Sequence, residues 1–111
     1  MDKLASYRQM IESVLHQHAQ SKPSHGEIEV YTAFDRQQDH YQVVHAGWTG
    51  YNRVFGPLIH IDLIDEKIWI QYDGTEVGVA NQLVELGVPK DEIVLAYHAP
   101  IMRQYDGFAI A

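Results

Sequence analysis

Cysteine is missing from the 111 residues. That excludes disulfides, thiolate nucleophiles and cysteine-based zinc sites, and it leaves redox chemistry silent about compartment. Positive charge is scarce: eight Lys and Arg stand against fifteen Asp and Glu, a net charge of −7 with histidine neutral. Such a balance argues against a surface that coats DNA or RNA, which needs a basic stripe to displace counterions from phosphates. No apolar run approaches the roughly 20 residues of a membrane-spanning helix. The start, Met1-Asp2-Lys3-Leu4-Ala5-Ser6-Tyr7-Arg8, is polar and lacks the apolar centre of a signal peptide. A soluble cytoplasmic protein is expected. What is abundant is apolar and aromatic: 46% hydrophobic and 11% aromatic residues, enough for one packed core and one domain over residues 1–111. Seven histidines make the charge sensitive to pH between about 5 and 7.

Apolar residues at Leu4, Tyr7, Ile11, Val14 and Leu15 fall at steps of three and four. They predict an amphipathic helix from Asp2, its N-cap, to about Gln20. Ser21, Lys22, Pro23, Ser24 and Gly26 break that pattern. From Glu27 the period becomes two, and Ile28, Val30 and Thr32 alternate with polar neighbours. Asp35–Asp39 is a polar turn, and Tyr41, Val43 and His45 alternate again. Thr49-Gly50 predicts a tight reversal. Arg53–Ile64 is a longer strand, bent or bulged at Gly56-Pro57. Asp65-Glu66 turns the chain into Lys67–Tyr72. This is an antiparallel meander of about four strands.

Thr75 is a suitable N-cap for a second helix carrying Val79, Ala80, Leu83, Val84 and Leu86, closed by Gly87. Pro89–Glu92 suits a single helical turn. Ile93–Tyr97 is too short for a helix and is expected to be extended, and Gly107–Ile110 is placed at a sheet edge. The expected class is α+β, with an N-terminal helix, the meander, a second helix and a C-terminal extended segment, the helices packed on one sheet face.

Few residues form a constellation with chemistry. Asp65-Glu66-Lys67 contains the acid-x-Lys triplet that holds a divalent cation in metal-dependent nucleases, with Asp62 as a second ligand. The competing account is a two-residue hairpin turn with solvated charges, and it is preferred because Mg²⁺ requires converging carboxylates. His60 and Asp62, two apart on a strand, share a face with Leu58 and Ile64, while Ile59, Ile61 and Leu63 line the other. A polar ladder explains them without a ligand. His16 and His18 lie about 200° apart on the first helix and cannot share one metal. His25, His40, His45 and His98 have no metal-type spacing. Gly74–Gly78 lacks the third glycine of a dinucleotide fingerprint and is expected to be a turn and cap. Trp48, Tyr51, Trp69 and Tyr72, with Tyr31 and Tyr41, concentrate in the meander. They are cross-strand packing and, on the uncovered side of a one-layer sheet, interface anchors.

The stretch Ile59-His60-Ile61-Asp62, followed by Lys67-Ile68-Trp69-Ile70-Gln71-Tyr72-Asp73-Gly74-Thr75-Glu76, closely resembles the XisI family. The resemblance continues through Gly78-Val79-Ala80, Leu83–Lys90 and Ile93–His98, and upstream through Tyr7-Arg8, Glu27–Val30, Phe34-Asp35 and Asp39–Val43. It covers almost the whole chain. Family members are named as controlling factors for excision of the fdxN element, a DNA segment removed during heterocyst differentiation in cyanobacteria. The resemblance implies a separate site-specific recombinase and a neighbouring XisH protein of endonuclease type. It supplies no catalytic residue and no cofactor. The expectation is therefore a non-enzymatic accessory factor that self-associates, contacts an XisH-like protein and the excision recombinase, and touches DNA only indirectly. The alternatives are a metal-dependent nuclease-like enzyme using Asp62, Asp65, Glu66 and Lys67, or a direct DNA-binding regulator.

Overall fold

Asp2 accepts the Leu4 N–H at 3.0 Å and starts the first helix, α1, Lys3–Ala19. The structure is a computed structural model that describes residues 2–20 and 27–111. The breaker segment Ser21–Gly26, with Lys22, Pro23 and His25, lies outside the described residues. The spacing of Tyr7, Ile11, Val14 and Leu15 gives α1 one buried stripe, as its periodicity predicts. That stripe packs on the sheet beside the second helix.

The meander consists of β1 Glu27–Asp35, β2 His40–Thr49, β3 Asn52–Ile64 and β4 Lys67–Asp73, paired antiparallel in sequence order. The Asp35 carboxylate nucleates the first turn by accepting the N–H groups of Gln37 and Gln38, each at 3.0 Å. The second reversal is displaced by one residue from its expected place. Thr49 pairs with Asn52, so Gly50 and Tyr51 form the turn, with Gly50 at φ 60°. With Gly50 alone at positive φ the turn is of the II′ kind, which takes glycine at its first position, and that preference decides the register. The third reversal is the expected one: Ile64 pairs with Lys67, and Asp65 and Glu66 sit between them at φ 52° and 65°.

Left-handed backbone is costly for side chains other than glycine, asparagine and aspartate, so the cost here falls mainly on Glu66. Replacing the pair by Asn-Gly is expected to raise the free energy of unfolding by about 1 kcal/mol. Urea denaturation checks this, and a loss of that size would contradict the turn assignment.

Two β-bulges interrupt the ladders. On β3, Val43 pairs with Ile59 but Val44 with Pro57, leaving Leu58 unmatched. This places the predicted bulge just beyond Gly56-Pro57. On β4, His60 pairs with Tyr72 but Ile61 with Ile70, leaving Gln71 unmatched. Each bulge inverts which residues face which side of the sheet. Leu58 accordingly packs toward the core instead of joining His60 and Asp62.

The second helix, α2, spans Val79–Glu85 and starts later than its sequence signals predict. Thr75 is not its N-cap. Gly78 takes φ 81° immediately before the helix, a conformation that breaks helical propagation and suits glycine alone. Asp73 does the capping from the end of β4: its Oδ2 accepts the Val79 N–H at 2.8 Å, and its Oδ1 accepts the Thr75 N–H and hydroxyl. The chain then crosses back through a short 3₁₀ turn, Lys90–Glu92, into β5, Ile93–Leu95, which lies parallel to β4. The sheet is therefore five-stranded and mixed, with order β1-β2-β3-β4-β5. A crossover through a helix returns the chain in the same direction, which is why this last pair is parallel. A 3₁₀ segment, Pro100–Tyr105, follows, and Ala109 bridges to Val94 at the sheet edge, as expected for Gly107–Ile110.

The core lies between one sheet face and both helices. Phe34, Tyr41, Ile61, Ile70 and Leu95 form one row of cross-strand partners along it. Tyr7, Ile11 and Leu15 from α1 and Val79, Ala80 and Leu83 from α2 cover that side. The Arg8 guanidinium grips the Asp39 carboxylate through two hydrogen bonds, 2.8 and 3.1 Å, and the Tyr41 hydroxyl donates to the same carboxylate at 2.8 Å. That triad ties the tip of the β1–β2 hairpin to α1. No helix among the described residues is long and apolar enough to cross a membrane.

Candidate functional site on the open sheet face

The face turned away from the helices can be followed along cross-strand rows. Glu27, Trp48 and Arg53 form one row, and Glu29, Ala46 and Phe55 the next. Tyr31, Val44 and Pro57 lie in the third. Ala33, Gln42, His60 and Tyr72 make the fourth, and Asp35, His40, Asp62 and Trp69 the fifth. In an unbulged strand Trp69 and Tyr72, three apart, would face opposite sides; the Gln71 bulge puts both on this one.

Of the four aromatics expected at an interface, Trp48 and Tyr72 stand on this face half exposed, and Tyr51 protrudes from the hairpin tip. Trp69 is partly covered by Arg103, whose guanidinium sits 5.6 Å from its ring. Tyr31, one of the meander aromatics the sequence singles out, and Phe55, 66% exposed and not singled out, complete the aromatic surface. Phe55 was hidden from sequence reasoning by the bulge, which sets its phase relative to His60. Tyr41 belongs to the core. Arg53 lies against both Trp48 and Phe55, at 5.4 and 5.6 Å. Glu27, Glu29 and Asp35 are exposed along the open side of edge strand β1, giving the aromatic surface an acidic rim.

At the β1-turn end of this face, three side chains converge on one carboxylate. His40 Nδ1 and His60 Nε2 each lie 2.7 Å from Asp62 Oδ1. Gln71 Nε2 donates to Asp62 Oδ2 at 3.2 Å, and Gln42 Nε2 lies 2.7 Å from His60 Nδ1. The bulge aims Gln71 at this cluster. Asp62 is the buried polar residue among the described residues, whereas His40 is exposed. The hydrogen bond to Asp62 raises the His40 pKa above the ordinary histidine value.

Among the described residues this is the group of His, Asp and Glu side chains whose ligand atoms converge. The sequence pairs Asp62 with His60 but misses His40, which stands opposite Asp62 on β2. Hairpin register was the available signal: a two-residue turn at Gly50-Tyr51 plus one bulge residue brings His40 to Asp62. Asp65 and Glu66 stay in their turn, and the Lys67 ammonium donates to the Ala111 carbonyl. They do not join Asp62, so the acid-x-Lys cation site has no geometric support. His16 packs edge-on against Phe34 and His18 bonds Gln82, so the two histidines do serve separate contacts.

Cations elsewhere are largely engaged. Lys3 pairs with Glu92, Arg8 with Asp39 and Arg36 with Glu12. Arg36 holds the Glu12 carboxyl below its ordinary pKa. Arg103 donates to the carbonyls of His98 and Ala96 at 3.0 and 3.2 Å, fastening the C-terminal segment.

The fold recurs in solved structures. The family described as XisI protein matches residues 1–110.

This chain belongs to the XisI family.

A crystal structure of a XisI-like protein from Anabaena variabilis is 37% identical, with a TM-score of 0.90, covering 97% of this chain and 99% of the other. The fdxN element excision controlling factor XisI from Anabaena variabilis is 30% identical, with a TM-score of 0.86, covering 99% of this chain and 100% of the other. No curated protein matches the chain. The XisI relationship spans the whole described fold, including the strands that carry the open face.

Proposed function

We propose that this XisI-family chain is a non-enzymatic, cytoplasmic accessory factor in excision of a DNA element, and that it acts through protein contacts on its open sheet face. The observation that carries the reading is the pairing of exposed Tyr31, Trp48, Phe55 and Tyr72 with the acidic rim of Glu27, Glu29 and Asp35. Aromatic side chains anchor interfaces, and an acidic rim steers the protein toward a basic surface on a DNA-acting partner. The engaged state of Lys3, Arg8 and Arg36 disfavours direct DNA contact, since phosphate neutralisation needs several cations on one surface. An XisH-like protein and the excision recombinase are the partners to test. Without them the same face seats a second copy of the chain.

Phe55→Asp and Trp48→Asp are expected to keep the fold and to weaken complex formation with the XisH-like protein by more than tenfold, on the order of 2 kcal/mol for a central anchor. Isothermal titration with purified partners measures this. Binding left intact by both variants overturns the assignment of the face. Light scattering that returned only the 12.7 kDa monomer would count against self-association. Fluorescence anisotropy with a duplex carrying the excision site should show the isolated chain binding no tighter than about 10⁻⁴ M at physiological salt. Submicromolar binding would establish direct recognition instead.

A further inference from the structure

We propose that His40, His60 and Asp62 form a binding site for a divalent transition-metal ion on the open sheet face. Three observations carry this beyond a hydrogen-bonded cluster. First, His40 Nδ1, His60 Nε2 and an Asp62 oxygen lie within 4.8 Å of one another. An ion with bonds of about 2.0–2.2 Å holds its ligand atoms about 3 Å apart, so small side-chain rotations seat it. Second, the ligands stand on adjacent strands in fixed register, with His40 opposite Asp62 and Gln42 opposite His60. Backbone pairing sets their positions before any ion arrives.

Third, the supporting groups that tune ligands are already in place. Gln71 holds the second Asp62 oxygen, and Gln42 meets the far nitrogen of His60. Without an ion, both imidazoles donate N–H to Asp62 Oδ1, so His60 carries its proton on Nε2 and accepts from Gln42 at Nδ1. With an ion, His60 coordinates through Nε2 and its proton moves to Nδ1. The Gln42 amide then turns to accept it through its oxygen. His40 likewise coordinates through Nδ1: the proton it donated to Asp62 leaves that atom, and the one proton the ring retains stands on Nε2. No other residue need change.

The ligand set selects the metal class. Two imidazole nitrogens and one carboxylate suit Zn²⁺, Co²⁺, Ni²⁺ or Fe²⁺, whereas Mg²⁺ and Ca²⁺ prefer all-oxygen sites. The cleft beside His40 and His60, about 360 Å³ and bordered by Ala33, Asp35 and Gln42, leaves the remaining coordination positions open to water or an external ligand. The proposal is independent of the excision reading.

Titration of the full chain with ZnCl₂ at pH 7.5, followed by calorimetry, is expected to show one saturable site. Co²⁺ should give visible absorption of a nitrogen–oxygen site. His40→Ala changes an exposed side chain and should leave the fold intact while weakening Zn²⁺ binding by more than about tenfold. His60→Ala should do the same, and Gln71→Ala should weaken binding less than either. His16→Ala, on α1, should change nothing. The absence of a saturable site, or unchanged affinity in folded His40→Ala, overturns the proposal. MgCl₂ competing at equal concentration would also overturn it.

Discussion

Ile61→Ala is expected to lower the free energy of unfolding by about 3–4 kcal/mol, while Ile64→Ala, three residues along the same strand, costs less than about 1 kcal/mol. Ile61 is 0% exposed and Ile64 41% exposed. Ile61 sits in the core row between Tyr41 and Ile70, beneath the helices. Truncation there leaves a cavity that neighbours in paired strands cannot collapse to fill. Domains of this size are stable by only about 5–15 kcal/mol, so the variant should show a markedly lower urea midpoint. Equal losses for the two variants would contradict the assignment of the faces.

Asp39→Ala is expected to cost about 2 kcal/mol. Most of that comes from the fully buried Tyr41, whose hydroxyl loses its acceptor. The rest comes from the backbone, since Asp39 holds φ 60°, which aspartate and asparagine tolerate better than alanine. The Arg8 pair adds less, because water reaches both partners. Asp39→Asn keeps the backbone preference and removes the charge, so the two variants separate the contributions.

The same carboxyl sets the acid limb of stability. Arg8 first, and Tyr41 after it, hold the Asp39 pKa below its ordinary value. Its contribution is therefore present above the unfolded value of about 3.9 and lost as pH falls through the lower folded value. His40 has the opposite sign. Its raised pKa gives a contribution that is complete below about pH 6.5 and lost as pH rises through the folded value. Unfolding measured from pH 3 to 9 should lose part of its acid slope in Asp39→Asn and part of its alkaline slope in His40→Ala.

Much of the fold can be read from local chemistry. Alternating apolar residues mark β1 to β4, and the helical spacing of Tyr7, Ile11 and Leu15 marks α1. Asp65-Glu66 marks its turn because two acidic residues between apolar runs have no other comfortable place. What failed was non-local. Thr75 has the chemistry of a cap, but Gly78 takes a conformation that ends the argument three residues later. The parallel pairing of β5 depends on where the chain returns after α2, and Ile93-Val94-Leu95 carries no mark of direction. The His40–His60–Asp62 cluster needed the β2–β3 register, and that register needed both the displaced turn at Gly50 and the bulge at Leu58. A separation of 22 residues between His40 and Asp62 leaves no periodic trace.

The two bulges also act as a counting device. In a strand, residue number modulo two decides the side, and each unmatched residue resets that parity. A codon deletion at Leu58 would leave Pro57 and Ile59 as consecutive partners of Val44 and Val43, so Arg53, Phe55, His60 and Asp62 would keep their side and only one core side chain would go. A deletion at Gln71 would likewise leave Ile70 and Tyr72 in plain alternation, with Tyr72 still on the open face and Asp62 without its amide donor. A residue lost elsewhere, at Val54 for example, would let the β3 bulge close and turn Phe55 toward the helices. Side-chain identity alone therefore does not specify the composition of the open surface; the length of two strands specifies it too. Relatives that lack a residue of β3 or β4 away from the bulge would present a different face between that point and the bulge, a change that no substitution at Trp48 or His60 could mimic.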